Sequence, residues 1–148
     1  MKMTNNFYLK EITESEKELF YDIFKKEILE REGKSEIQPN PNRPKTTREN
    51  YFFYMNDCLV GTIQIAYLDA IRAVFRAIII IGEYKNQGYG TLLLKQAEEL
   101  LKKKGYKQIL LHSHPRAYSF YARNGYKEIA PFKDNSNFPD SIDMGKNL

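Results

Sequence analysis

At 148 residues, with 42% hydrophobic and 28% charged side chains, the chain has the length of a single domain spanning 1–148 and enough apolar material for a full core, which excludes a chain disordered throughout. Lys and Arg exceed Asp and Glu by 23 to 19, a formal charge of +4 that suits a polyanionic ligand and is too small to argue for nucleic acid. One cysteine, Cys58, excludes an internal disulfide and a cysteine-based metal cluster, two histidines argue against zinc, and no apolar run reaches signal-peptide or membrane-spanning length, so the expected address is the cytoplasm, with no metal and no membrane.

Phe7 to Ile12 alternates apolar and polar residues as a short first strand would. Thr13-Glu14-Ser15-Glu16 has the form of a capping box, and Leu19, Phe20, Ile23, Phe24 and Ile28 follow at helical spacing. The spacing predicts a helix to about Arg31, stopped at Gly33, with this apolar stripe packed in the core. From Lys34 to Asn50 the prolines 39, 41 and 44 interrupt a polar run without a period, the mark of a functional or mobile loop. Tyr51–Met55 and Leu59–Tyr67 form a predicted hairpin about Asn56-Asp57, residues that tolerate the positive φ of a tight turn. On its second strand Leu59, Ile63, Ile65 and Tyr67 share one face, and Thr62 and Gln64 take the other. Cys58 beside the turn reads as an incidental small side chain rather than a nucleophile.

Ala73 to Ile81 is the next predicted strand, wet on one face early, where Arg72, Val74 and Arg76 alternate with Ala73, Phe75 and Ala77. Its four isoleucines, Ile78 to Ile81, read as buried on both faces. A polar turn follows, then Gly88-x-Gly90, then an amphipathic helix from about Thr91 to Lys104. That order aims the unpaired amides of a helix's first turn beyond the strand end, with glycines leaving no Cβ in the way. Amides and helix dipole together favour an anion, phosphate above all. The helix places Leu93, Leu94, Ala97, Leu100 and Leu101 on one side, and Glu98 and Glu99 four residues before Lys102 and Lys103 on a solvated face. The lysine run reads as a solvated helix end closed by Gly105, in preference to a nucleic-acid contact. Gln108 to His112 is another buried strand, which completes a βαβ unit with parallel strands and a right-handed crossover. Ligands in such units lie beyond the carboxyl ends of the strands, where the glycine turn and His112-Ser113-His114 are both expected. Pro115 opens the last helix, with Ala117, Phe120 and Tyr121 on its inner side and Asn124-Gly125 at its end.

Lys85-x-x-Gly88-x-Gly90 resembles the acyl-CoA signature of the GNAT superfamily of N-acetyltransferases, Gln/Arg-x-x-Gly-x-Gly/Ala, with Lys85 departing at its first position. A dinucleotide fingerprint would need a glycine where Leu93 stands, and the Gly-Lys-Ser/Thr of a Walker A loop does not occur. Ala117-Tyr118-Ser119-Phe120-Tyr121 with Asn124-Gly125-Tyr126 resembles the second signature of the same family, and Ile142-Asp143-Met144-x-Lys146 its closing strand. His112 to Tyr121 is most similar to the ElaA-like branch, and the likeness extends roughly from Tyr51 to the C-terminus. Two spaced signatures are more specific than either alone.

The resemblance implies an α/β (α+β) fold: a mixed, mainly antiparallel central sheet with a β-α-β acyl-CoA-binding core and helices on both faces. It implies direct transfer of an acetyl group from acetyl-CoA, a co-substrate, to a primary amine of a small molecule or peptide. The pantetheine arm would pair with the strand at Ile78 and Ile80, and the diphosphate would lie on Lys85, Asn86, Gln87, Gly88, Tyr89, Gly90 and Thr91. His114 stands where the family often has an asparagine that contacts the cofactor. Tyr121 takes the position of the family's tyrosine general acid; a phenol titrating near about 10 suits a thiolate whose conjugate acid titrates near about 8.5. Some relatives carry a carboxylate within the strand Ala73–Ile81, where this chain has none, so Glu83, His112 and His114 are the candidate bases, directly or through water. The Lys34–Asn50 loop borders the acceptor site in the family and would act either as a substrate lid or as a simply disordered connection. Pro131–Ser141 would also shape that pocket, and the chain could pair as a homodimer. The alternative within the same fold is a module that senses acyl-CoA without turnover; a basic nucleic-acid-binding domain ranks last.

Overall fold

Alternating apolar residues and tight turns divide the described residues, 6–32, 47–134 and 138–148 of a computed structural model, into short strands and three α-helices. The strands are β1 (Phe7–Glu11), β2 (Arg48–Met55), β3 (Cys58–Tyr67), β4 (Arg72–Ile80), β5 (Gln108–Ser113), β6 (Lys127–Glu128) and β7 (Ile142–Asn147). The helices are α1 (Lys17–Glu32), α2 (Tyr89–Lys103) and α3 (Tyr118–Arg123). The sheet order is β1-β2-β3-β4-β5-β7-β6, with β4 and β5 parallel over Arg72–Val74 and β1/β2, β5/β7 and β6/β7 antiparallel. The mixed, mainly antiparallel sheet expected from the sequence is therefore present, and the β4-α2-β5 crossover is parallel. No helix among the described residues is long and apolar enough to cross a membrane. The expected stop at Gly33, the Ile28 side chain, residues 34–46 of the expected lid and residues 135–137 of the Pro131–Ser141 segment lie outside the described residues.

The described chain divides into two compact units. The first comprises residues 6–32, Glu49–Gln64 and Ala77–Ala97. Its β2–β3 hairpin turns at Asn56 (φ 48°) and Asp57 (φ 68°), the paired left-handed residues whose twist matches that of the strands. Phe20, Phe52, Phe53, Val60, Ile63, Ile79, Leu93 and Leu94 form its buried interior. One expectation fails here. Among the stripe residues of α1 Phe20 is buried, Ile23 and Phe24 are half-buried, and Leu19 is 48% exposed, because the buried arc is narrower than the run of apolar residues. Thr62 and Gln64, which take the other face of β3, are buried as well, with Thr62 Oγ1 donating to the Ala77 carbonyl at 3.0 Å and Gln64 Nε2 to Asn50 Oδ1 at 2.8 Å. Buried polar groups need such partners, and these are supplied from neighbouring strands.

The second unit comprises residues 47–48, Ile65–Arg76, 98–134 and 138–148. Ala66, Val74 and Leu110 pack with Leu68, Ile129 and Phe132, so Val74 is interior rather than on the wet face its neighbours suggested. Arg72, half-buried beside it, is clasped by Asp69, with Nε to Oδ2 at 2.7 Å. After α2 the chain closes through Gly105 (φ 88°), whose amide donates to the Lys102 carbonyl at 3.1 Å while Tyr106 N donates to Leu101 at 3.0 Å. The short β6, absent from the expected elements, pairs Lys127 and Glu128 with Gly145 and Met144.

Candidate functional site

In the first unit the strand end, the glycine turn and the start of α2 are continuous. Ala77, within β4, has φ 50°, a left-handed value that costs a residue with a Cβ about 1–2 kcal/mol. Beyond it only Ile79 is buried; Ile78 and Ile80 are half-buried. The expectation of four isoleucines buried on both faces is thus corrected: β4 presents Ile78 and Ile80 on a partly open face after the break in its backbone. The Ile81 amide is already committed to the Val60 carbonyl at 2.8 Å.

A 3₁₀ turn, Gly82–Tyr84, leads to extended Lys85, then Asn86 (φ 63°) and Gly88 (φ 85°). α2 begins at Tyr89, two residues earlier than the spacing suggested, so Gly90 and Thr91 belong to its first turn. Those first-turn amides have no acceptor within the helix and carry the positive end of its dipole. A Cβ built on Gly88 meets nothing within 4 Å, so the glycine is required by its φ, and the space before it is open to an anion. Side chains brace the turn from behind. Gln87 Nε2 donates to the Glu83 carbonyl at 3.0 Å, and the Tyr89 ring lies 6.0 Å from Phe7 and 5.9 Å from Tyr84. Lys85 Nζ pairs with Glu27 Oε2 of α1 at 3.1 Å, an ion pair to a side chain only 15% exposed. The turn therefore offers backbone donors on a braced scaffold, the arrangement that suits a diphosphate. Glu83 is exposed within the 3₁₀ turn.

The second unit holds Tyr121, His112 and His114. Tyr121, on α3, is half-buried; its ring meets Phe120 and Tyr126 edge-on at 5.2 and 5.8 Å, and its carbonyl accepts the amides of Asn124 at 3.0 Å and Tyr126 at 3.1 Å. His112 occupies a different setting from that of a base. Its Nε2 faces Asp134 Oδ1 at 2.8 Å and its Nδ1 faces Asp143 Oδ1 at 2.5 Å, with the side chain 3% exposed and Phe132 stacked on the ring at 4.2 Å. Burial works against its charge, but the bonds and charges of the two aspartates prevail and raise its pKa. With a carboxylate engaged at each ring nitrogen, neither nitrogen is open to a substrate proton. His114 is half-buried against Phe138, ring centres 4.4 Å apart.

Two clusters were not foreseen. Glu98, expected on the solvated face of α2, is buried, accepting from Tyr126 Oη at 2.8 Å and Lys146 Nζ at 3.0 Å. The i+4 spacing to Lys102 pointed outward; the partners that draw Glu98 inward lie 28 and 48 residues away. The aspartates on His112 are as remote in sequence, and no local period marks them.

Residues 9–126 match the family model described as acetyltransferase (GNAT) family. An uncharacterized N-acetyltransferase of Chlorobaculum tepidum is 30% identical over 84 residues, 57% of this chain and 50% of that protein. The chain spans about half the length of the curated relatives it matches. Among solved structures, an acetyltransferase of the GNAT family from Staphylococcus aureus superposes with a TM-score of 0.73 at 18% identity, covering 97% of this chain and 99% of that one. A spermidine N-acetyltransferase of Vibrio cholerae, solved with CoA and spermine, gives a TM-score of 0.72 at 16% identity, with 95% of each chain covered.

Proposed function

This chain belongs to the acetyltransferase (GNAT) family, and we propose that it transfers an acetyl group from acetyl-CoA to a primary amine of a small molecule or peptide by direct attack. The observation that carries this reading is the turn from Lys85 to Gly88, which opens into the first turn of α2 with free space at Gly88. Acetyl-CoA, when bound, supplies the acetyl group as an activated thioester. The amides from Asn86 to Thr91 hold its diphosphate, and the β4 backbone at Ile78 and Ile80 takes the pantetheine arm as an added strand would. A backbone amide near Ile80 donates to the thioester oxygen as charge develops on it, an interaction that counts most in the transition state.

Tyr121 gives its phenol proton to the sulfur as the bond from sulfur to the acetyl carbon breaks, and regains a proton from solvent. Glu83 or His114, directly or through water, takes the proton that the amine nitrogen sheds as it bonds to that carbon. His112 is left out of this step because both of its nitrogens are engaged. The spermine in the Vibrio cholerae complex makes polyamines the first acceptors to try.

The test is release of free CoA from acetyl-CoA across polyamines, amino acids, aminoglycosides and peptide N-termini. At least one amine should release CoA well above background, and Tyr121→Phe should lower kcat by roughly 10²–10⁴-fold, the usual worth of a positioned proton donor, while leaving CoA affinity intact. Heat of CoA binding without turnover of any amine would replace this reading with that of an acyl-CoA sensor.

A further inference from the structure

Three polar groups, from α2, β7 and the connection after α3, meet inside the second unit and take no part in the transfer itself. Glu98 of α2 accepts from Tyr126 Oη at 2.8 Å through one carboxylate oxygen and from Lys146 Nζ of β7 at 3.0 Å through the other. The same ammonium donates to the Asn124 carbonyl at 2.9 Å, just past the end of α3. Gly125 (φ 92°) makes the room: a Cβ there would stand 3.3 Å from Lys146 Cε and 3.4 Å from Nζ. Burial, with the Glu98 charge and hydrogen bond, pushes the Tyr126 phenol far above its ordinary range, so it remains a donor at any working pH.

Such a cluster is a weak source of stability, because desolvating the charges offsets much of their attraction; its stronger effect is to permit one geometry. The element it fastens is α3, six residues long, too short to hold its shape alone. The element also carries Tyr121, whose ring rests edge-on against the Tyr126 ring at 5.8 Å and whose carbonyl accepts the Tyr126 amide at 3.1 Å.

We propose that Glu98, Lys146 and Tyr126 are positioning residues for acetyl transfer, locking the end of α3 so that the Tyr121 phenol is held where the proton is needed. The inference rests on the reading of Tyr121 as the proton donor. It is tested by a double-mutant cycle of Tyr126→Phe and Tyr121→Phe, with kcat and the KM for acetyl-CoA measured in the full chain and folding checked by circular dichroism at the assay temperature. Tyr126→Phe keeps the ring and deletes the hydroxyl; it should cost kcat about tenfold or more, as small misplacements of a catalytic group do, with KM unchanged. On top of Tyr121→Phe it should cost nothing further. Lys146→Arg, which can still reach both acceptors, should retain more kcat than Lys146→Met. Equal losses in both backgrounds would reduce the cluster to a structural role and overturn the proposal. If Tyr121→Phe alone leaves kcat unchanged, the reading of Tyr121 fails and takes this inference with it. Should Tyr126→Phe not fold, Glu98→Gln takes its place in the same cycle with the same outcomes.

Discussion

His112 shows how far one residue's chemistry can depart from its type. In isolation a histidine at a strand end is a natural base; here a carboxylate at each ring nitrogen favours its charged form. Its raised pKa has a consequence for stability. Because the folded protein binds this proton more tightly than the unfolded chain, the contribution is complete below the ordinary value of 6.5 and disappears as pH rises through the raised one. His112→Gln should therefore be less stable than the parent in urea at about pH 6, and the gap should narrow as pH rises through the raised value. A gap that stays constant over that range would mean that His112 is buried neutral.

At the scale of elements, what was legible in the sequence is what depends on neighbours in the chain. The Asn56-Asp57 hairpin demands residues that accept positive φ, the β4-α2-β5 crossover follows from two apolar strands flanking an amphipathic helix, and the glycine turn announces itself by composition. What was not legible depends on partners far away: Glu98 drawn inward by Tyr126 and Lys146, Thr62 and Gln64 paid for by Ala77 and Asn50, Leu19 left at the margin of a narrow contact. The break at Ala77 belongs to the same class, since nothing about an alanine foretells φ 50°. Gly61 is the counterpart of that break on β3. A Cβ there would lie 2.4 Å from the Ile79 carbonyl oxygen and 3.1 Å from Ile80 Cδ1, so β4 must yield. Gly61→Ala should cost roughly 1–3 kcal/mol in urea unfolding, as overpacking does, and weaken CoA binding because Ile78–Ile80 would shift. Parental stability together with parental affinity would show that β4 can give way without affecting the proposed pantetheine edge.

For the molecule as a whole, the division between gripping the co-substrate and moving a proton makes a thermodynamic prediction. A ligand that binds only the folded chain stabilises it by about 2.7 kcal/mol at a concentration of 100 times its Kd. In a protein of about 150 residues each kcal/mol raises Tm by about 2–4 °C, so saturating CoA should raise it by roughly 5–11 °C. If the glycine turn holds the diphosphate as proposed, Gly88→Ala, which forces a Cβ into φ 85°, should reduce that rise sharply. Tyr121→Phe removes only the proton and should show the full rise while transferring little acetyl. If the rise disappears in Tyr121→Phe as it does in Gly88→Ala, the phenol is part of the grip, and the proton for the departing sulfur comes from another group.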